Sequence, residues 1–169
     1  LNFMKLKHLG IFLLLSTMAV FSACSDDDDD KGVETGLATS IAGDYKGSLI
    51  VDVAGSKTEP SDNVINVIAT AKEEVQLQLK EFNFVLGDDN IVIRDIKLDK
   101  IGVQGKEGDV QLVVKEPQTI TIKVGGAPID AKIMTEGSVK AKNLVLVLDI
   151  DAAAMKIKVD FSGVLQEKK

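Results

Sequence analysis

The chain of 169 residues has few of the side chains that build disulfides and zinc sites. It contains one cysteine, Cys24, and one histidine, His8. A single cysteine cannot form an internal disulfide, so no disulfide framework is expected to hold the fold. One thiol and one imidazole are also too few for a Cys/His zinc site. We therefore expect no metal and no cofactor.

Basic clusters and aromatic residues are scarce as well. The net charge is −6, and no block rich in Lys or Arg occurs, which argues against a nucleic-acid partner because phosphate binding requires a basic surface. Aromatic residues make up 4% of the chain, with no tryptophan, while hydrophobic residues make up 45%. The chain therefore has enough apolar residues to form a hydrophobic core, which Val, Ile and Leu have to fill.

The N-terminal segment has the pattern of an export signal. Lys5, Lys7 and His8 form a short basic start, and the uncharged run LGIFLLLSTMAVF follows at residues 9–21. This run is shorter than the roughly 20 residues of a membrane-spanning helix and fits the roughly 7–15 residues of a signal-peptide core. We therefore predict a signal peptide over residues 1–23 and exclude it from reasoning about the fold.

The residues after this run are Phe21-Ser22-Ala23-Cys24. Small residues directly before a cysteine resemble the lipobox of bacterial lipoproteins, although Phe21 departs from the usual Leu. The resemblance implies that the Cys24 sulfur receives a diacylglycerol, that the signal is cut before it, and that the new amino terminus is acylated. Two or three acyl chains meet the requirement of stable membrane anchoring, since one chain gives only reversible binding.

Five aspartates follow the cysteine, and such a run of like charges stays extended and hydrated. The run resembles the surface-export signal of Bacteroidetes lipoproteins, which implies an outer-membrane protein anchored at the cell surface. A periplasm-facing lipoprotein is the alternative. The candidate export residues are Ser25, Asp26, Asp27, Asp28, Asp29 and Asp30.

Removal of the signal would leave no histidine, and acylation would consume the Cys24 thiol. A Ser/His/Asp triad and a Cys/His dyad are then excluded, so we expect no enzyme and no catalytic residues. The carboxylate pairs Asp149/Asp151, Glu73/Glu74 and Asp88/Asp89 could hydrolyse glycosides or bind calcium. With 26 acidic residues such pairs arise by chance, so we assign no metal ligand to them.

Alternation of apolar and polar residues governs the chain from Ile41 onward. MKIKVDFSG and TITIKV place apolar residues at every second position, as half-buried strands do. After Leu79 the apolar set shifts from odd to even positions, which predicts a β-bulge at Lys80-Glu81. Similar shifts in residues 90–103 predict a bent or interrupted strand. NLVLVLDI is apolar on both faces, which predicts cover on both sides by another layer, a lipid or a partner.

These segments predict about eight or nine strands separated by turns rich in Gly, Pro, Asn and Asp. Short strands at regular spacing predict an all-β fold, a single antiparallel barrel, with a two-sheet β-sandwich as the alternative. We divide the chain into the signal peptide at 1–23, an acylated Cys and acidic flexible linker at 24–40, a barrel-like domain at 41–165 and a tail at 166–169. The strands are expected near 44–53, 63–71, 74–86, 91–103, 109–115, 118–124, 128–140, 143–151 and 154–164.

Three stretches resemble the calycin-like (lipocalin-like) lipoprotein family of Bacteroidetes. They are GDYKGSL at 43–49, LQLKEFNF at 77–84, and the closing pair VKAKNLVLVLDI and MKIKVDFSG. The resemblance covers about residues 41–165 and implies a small antiparallel barrel-like fold with no established catalytic residues. Within it we expect Gly47 to allow close packing and Tyr45 to cap one end of the barrel.

Two functions remain open at this point. The first is a non-catalytic binding module that holds a small apolar or amphipathic ligand in the mouth of the barrel, which about eight strands can just accommodate. The second is a structural or accessory subunit that binds a surface protein and has no ligand cavity. The scarcity of aromatic residues favours the second, because ligand pockets are usually rich in them.

Overall fold

The computed structural model describes residues 36–86, 89–124, 126–153 and 155–167. These residues form one short helix and a series of β-strands that follow the alternating apolar pattern. The elements are α1 (Leu37–Ile41), β1 (Gly43–Val53), β2 (Ser56–Lys57), β3 (Ser61–Ala71), β4 (Glu74–Leu79), β5 (Phe82–Leu86), β6 (Asp89–Ile93), β7 (Ile96–Lys106), β8 (Asp109–Val113), β9 (Gln118–Val124), β10 (Ala127–Lys140), β11 (Asn143–Ala152) and β12 (Met155–Leu165).

Eight of the strands close into an antiparallel barrel. Their order is β11-β12-β1-β3-β4-β7-β8-β10, and β10 pairs with β11 to complete the circle. The closure between β1 and β12 runs from Tyr45, opposite Leu165, to Val53, opposite Ile157. The fold is therefore all-β and a closed eight-strand barrel, as predicted, and the two-sheet sandwich is excluded.

The inward positions of the barrel strands form one aliphatic core. On β11 the alternation puts Leu144, Leu146, Leu148 and Ile150 inside, while polar or less buried residues lie between them. The other barrel strands contribute Val, Ile, Leu and Phe side chains to the same cluster. Each buried aliphatic side chain contributes roughly 1.5–3 kcal/mol, so this cluster is the main source of stability.

Helix α1 lies at one end of the barrel, which we call the α1 end. Ala38 and Ile41 of the helix belong to the core, and the Ala38 N–H donates a hydrogen bond of 3.1 Å to the carbonyl of Lys72 after β3. The helix occupies the last residues of the predicted linker 24–40. Residues 37–40 are thus helical and are held to the core by Ala38, in a segment too short for a periodic pattern to reveal.

The opposite end contains the β11–β12 turn, the end of β4 and the start of β7. Two hairpins extend the fold there. The β5–β6 hairpin forms a separate two-stranded sheet, and β9 pairs with the first half of β10. The inner face of β5–β6 joins the core through Phe82, Phe84, Ile91 and Ile93, and β6 contacts β9. Side chains of the β5–β6 hairpin therefore pack into the core at this end of the barrel.

The shifts in the apolar pattern have two structural causes. The predicted bulge at Lys80-Glu81 is wrong, because these residues lie between β4 and β5, where the chain leaves the barrel. The predicted interruption of 91–103 is confirmed, since β6 ends at Ile93 and β7 begins at Ile96. A second shift, between Leu98 and Ile101, is an irregularity in the pairing of β7 with β4, opposite Val75 and Leu77.

Strand β11 was predicted to be covered on its second face by another layer, a lipid or a partner; the described chain supplies no such layer, and cover by a lipid or a partner stays a prediction. Val145 on the outer face is 49% exposed, and no layer of the described chain lies over it. Val164 on β12 is 48% exposed and lies close by, because Asn143 and Val145 of β11 pair with Val164 and Ser162 of β12. The described surface therefore has a small apolar patch, which we define as Val145, Val147 and Val164.

Candidate functional site

A groove of about 550 Å³ opens on the outer face of the barrel, at the end opposite α1. Its floor is formed by β10, β11 and β12, and its margins by Ala54 after β1 and Pro117 before β9. The groove lies near the β11–β12 turn, where the β1–β2 turn and the segment before β9 rise on either side of the sheet. This position makes a concave surface on a wall that would otherwise be convex.

Strand alternation decides which side chains line the groove. On β11, Ile150 points into the core, so Asp149 and Asp151 on either side of it point outward. On β12, Ile157 points inward, and Lys156 and Lys158 point outward in the same way. The groove is therefore lined by the polar faces of two strands whose apolar faces are fixed by the core.

The pairing register brings opposite charges side by side. Asp149 lies opposite Lys158, and Asp151 lies opposite Lys156, so the two strands present a carboxylate column and an ammonium column. Strand β10 adds Lys132 opposite Asp151. Side chains directly opposite one another have Cβ atoms about 4.5–5.5 Å apart. The groove thus contains both signs of charge in adjacent rows.

Apolar side chains complete the lining. Met134 on β10 lies opposite Asp149 and is half-buried, and Ala54 and Pro117 stand at the two margins. Asp52 on β1 lies opposite Lys158 and continues the row of alternating charges across the wall. The result is an amphipathic groove, with charged columns next to methionine, alanine and proline surface.

A second groove, of about 690 Å³, lies beside the segment that joins β8 to β9. Two of its four carboxylates already have hydrogen-bond partners: the Thr70 hydroxyl donates to Glu74 at 3.1 Å, and Gln76 donates to Asp99. The Gln118 side chain also bonds the backbone N–H and carbonyl of Asp99. Because these groups satisfy one another, this second groove is a weaker candidate for a ligand site.

Among the described residues, one polar side chain of the barrel interior lacks a hydrogen-bond partner. Thr135 is 3% exposed, and its hydroxyl has no hydrogen-bond partner among the described residues. At the α1 end, the Tyr45 hydroxyl donates a 2.8 Å hydrogen bond to the carbonyl of Ile41, and burial raises the pKa of Tyr45 to about 12. Tyr45 thus joins β1 to α1, which gives it a structural role at the barrel end, as expected.

Comparison with known proteins decides the family. The family model described as a calycin-like beta-barrel domain matches residues 41–164. The chain belongs to this family. A search of the curated proteins found no match. The calycin-like barrel family is typically non-catalytic.

A solved structure shows the same fold. A "putative outer membrane protein" from Bacteroides fragilis NCTC 9343 superposes with a TM-score of 0.57 at 15% identity, over 75% of this chain. This chain spans about half, 52%, of that protein's length. A redesigned beta barrel, b11L5F_LGL, matches 80% of this chain and 99% of its own at 5% identity, but its TM-score of 0.40 is too low to support an argument.

The residues predicted for anchoring and export lie outside the described part of this calycin-like barrel. They are Cys24, Ser25, Asp26, Asp27, Asp28, Asp29 and Asp30. They stay predictions. Among the described helices, none is both long enough and apolar enough to cross a bilayer.

The carboxylate pairs of the sequence fall at different places in the calycin-like barrel. Asp149 and Asp151 line the amphipathic groove, and Glu73 and Glu74 line the second one. Asp88 lies outside the described residues. Lysines, and not further carboxylates, surround Asp149 and Asp151, and the described residues contain no group of three or more potential metal ligands. This face therefore carries charges of both signs, whereas a calcium site needs a cluster of oxygen ligands.

Sequence reasoning missed the lysines and Met134 of the groove. Alternation alone shows that Lys156 and Lys158 point outward, so a signal for their exposure was present. Their convergence with Lys132 and Pro117 depends on which strands are neighbours and on where the chain rises beside the sheet. The apolar–polar alternation within one strand reveals neither the neighbouring strands nor the position of that segment.

Proposed function

We propose that this calycin-like barrel is a non-catalytic binding module that holds a small amphipathic ligand in the groove on its outer face. The observation that supports this is the lining of that groove, which joins apolar surface at Met134, Ala54 and Pro117 to charged columns on β11 and β12. The barrel mouth is a poorer site than the sequence suggested, because the inner face of β5–β6 belongs to the core.

The nature of the lining also limits the class of ligand. The aromatic residues among the described part of the chain are Tyr45, Phe82, Phe84 and Phe161, and all four are buried. Ligands that bind by stacking on an exposed aromatic ring, as flat sugar and base faces do, find no such ring there. Ion pairing and aliphatic contact are the interactions that the groove offers.

We further propose that the module is tethered to the outer membrane through acyl chains on Cys24 and is exported to the cell surface by Ser25 and Asp26–Asp30. The supporting observations are the basic start, the short apolar run and the small residues before Cys24. Likeness in fold to a Bacteroides fragilis protein described as belonging to the outer membrane is consistent with this placement. A periplasm-facing position is the alternative.

Ligand binding can be tested on the barrel alone. A chain that starts at Gly32 keeps the entire core between Ala38 and Phe161. Purified gently and examined by native mass spectrometry, it should carry a reproducible bound mass. The variant Met134→Ser should lose that mass, and the matched control Ile68→Ser, an outward position on β3 away from the groove, should keep it. A clean unliganded mass would contradict the proposal.

Export can be tested on whole cells. Replacing Asp26–Asp30 with alanine should protect the protein from externally added protease, because the sorting signal is lost. Replacing the same number of exposed acidic residues on the barrel should leave cleavage unchanged. Equal cleavage of the natural chain and the alanine variant would refute the sorting role.

An accessory role in protein interaction is the second candidate, and the apolar patch of Val145, Val147 and Val164 favours it. If native mass spectrometry finds no ligand, Val145→Glu should then weaken association with a partner on the cell surface, whereas Ile68→Glu should not. Crosslinking in intact cells measures this difference. Equal crosslinking by both variants would dismiss the patch as an interface.

A further inference from the structure

We propose that the groove selects zwitterionic amphiphiles, with the cationic group of the ligand on Asp149 and Asp151 and its anionic group on Lys156 and Lys158. This inference rests on the proposed binding function and names the class of ligand for that site. It follows from the spacing of the carboxylate and ammonium columns and from the absence, among the described residues, of ion pairs within 4.0 Å between them.

The charged groups of the groove are not satisfied by one another. The described residues form three ion pairs within 4.0 Å, and these are Arg94–Glu81, Lys97–Asp99 and Lys142–Glu167. None of them includes a residue of the groove. Asp149 and Lys158 are cross-strand neighbours by register, yet their charged atoms stay more than 4.0 Å apart. Both columns therefore keep free charge to offer to a ligand.

The columns match a ligand that carries both signs. Asp149 and Asp151 lie two residues apart on β11, and Lys156 and Lys158 lie two apart on β12, so each column holds two like charges about 6.6–6.8 Å apart. A purely anionic ligand is attracted by the lysines and repelled by the aspartates beside them, and a purely cationic ligand meets the reverse. Only a ligand whose two charges are about one strand spacing apart, about 4.7–4.9 Å, is attracted by both columns at once.

The margins of the groove supply the apolar contact. Met134 lies next to the carboxylate column on β10, and Ala54 lies beyond the ammonium column after β1. A short alkyl chain attached to a zwitterionic head can therefore lie along either margin while the head spans β11 and β12. Because the groove is open, salt should weaken the head-group contacts.

Three hexyl probes isolate the effect of the head group on the Gly32–Lys169 barrel. They are hexylphosphocholine, hexyl phosphate and hexyltrimethylammonium, each titrated at low salt and followed by backbone amide NMR shifts. We expect hexylphosphocholine to bind at least tenfold more tightly than the other two, with the largest shifts on β11 and β12. Equal affinity for all three probes overturns the selectivity while leaving the binding module intact. Binding by none overturns the selectivity, and native mass spectrometry then decides the binding module separately.

Charge-reversed variants show whether the columns are responsible. Lys156→Glu with Lys158→Glu should lose tenfold or more in affinity for hexylphosphocholine and gain affinity for hexyltrimethylammonium. Exchanging both columns together, with Asp149→Lys, Asp151→Lys, Lys156→Asp and Lys158→Asp, keeps the net charge and should restore binding of the zwitterion.

The matched control reverses two exposed lysines at the α1 end, Lys46→Glu with Lys140→Glu. This pair changes the net charge by the same amount and should leave the affinity for hexylphosphocholine unchanged. Circular dichroism should show the native fold in every variant, since all of the changed positions lie on the outer face. An equal loss in the control and in the Lys156/Lys158 variant would show that net charge alone acts, and would overturn the proposal.

Discussion

The buried phenol of Tyr45 makes the stability of the barrel depend on the ionisation of one residue. Its ring is fully buried, its hydroxyl donates to the Ile41 carbonyl, and burial raises the pKa of Tyr45 to about 12 from an ordinary value of about 10. The folded protein therefore keeps this proton at a pH where the unfolded chain has lost it. Tyr45 is the one tyrosine of the chain, so its ionisation can be followed without interference.

Stability should fall as the pH rises from about 10 to about 12. Below pH 10 the phenol is neutral in both states, so its contribution is complete. Between the two pKa values only the unfolded chain ionises, which reduces the stability of the folded state by up to about 3 kcal/mol. Urea unfolding at pH 8 and pH 11, followed by circular dichroism, measures the change.

The variant Tyr45→Phe serves as the control for this loss. It should be less stable by about 1 kcal/mol at pH 8, because the hydrogen bond to Ile41 is gone. It should also lose less stability between pH 8 and pH 11 than the natural chain. An identical alkaline loss in both proteins would assign the effect to other groups, such as the lysines.

Gly47 on β1 lies tightly against the backbone of β12. A Cβ atom at this position would collide with the Ser162 carbonyl oxygen and the Gly163 Cα, both of which are backbone atoms. We expect Gly47→Ala to destabilise the barrel by about 1–3 kcal/mol, because the strands have to move apart. Thermal unfolding measures the loss. Gly102→Ala on β7 is the control: its nearest contact, the Val113 carbonyl oxygen, is at 3.3 Å, so the loss should be smaller.

At the scale of elements, the β5–β6 hairpin is held differently from the barrel strands. It pairs with no barrel strand, and two-residue connections join it to β4 and β7. An ion pair of 3.1 Å between Arg94 and Glu81 links these two connections, but both side chains are more than half exposed, so it contributes little. Its attachment therefore depends on the apolar contacts of four side chains.

Amide hydrogen exchange should reveal this difference. We expect the amides of β5 and β6 to exchange through a local opening of lower free energy than the amides of β11 and β12, because no ladder of hydrogen bonds ties the hairpin to the barrel. Native-state exchange followed by NMR at increasing low urea concentrations separates the two. Equal opening free energies for the hairpin and for β11–β12 would show that the hairpin unfolds only with the whole barrel.

Single strands could be predicted from the sequence because a strand's two faces differ in polarity. The alternation in residues 155–163 and 118–124 located β12 and β9 directly. The change of the apolar residues from odd to even positions after Leu79 is visible in the sequence too. A β-bulge and an exit of the chain from the barrel both produce this change, so the sequence alone does not distinguish them. The structure has twelve strands and not nine, because residues 74–86 and 91–103 each divide in two and because the two-residue strand β2 was not predicted.

The groove could be predicted less well than the strands. Strand alternation places Asp149 and Asp151 on one face of β11, and that face does line the groove. Their partners Lys156 and Lys158 become visible only when the register between β11 and β12 is known. Thr135 gave no signal either, since a threonine at an inward position looks like any β-branched residue until its hydroxyl is seen to lack a partner.

At the scale of the whole molecule, the proposed anchor at Cys24 leads to a direct prediction. The natural chain should incorporate labelled fatty acid and partition with membranes, because two or three acyl chains hold a protein there stably. Cys24→Ala should abolish both. The control Ser22→Ala keeps a small residue and the thiol, so it should be labelled normally. Label that persists on Cys24→Ala would refute the account of the anchor.

The closure of the barrel has a consequence for the order in which the chain can fold. Tyr45 and Leu165 are paired, although almost the whole domain lies between them in the sequence. Contacts this distant in sequence close a long loop, which reduces the conformational entropy of the chain, so they form late. The barrel should therefore fold slowly for its size. Until the last strand emerges, β1 and β11 each expose an unpaired edge. A nascent chain that is still short of β12 therefore stays open, as the export of an extended chain that we propose for this protein would require.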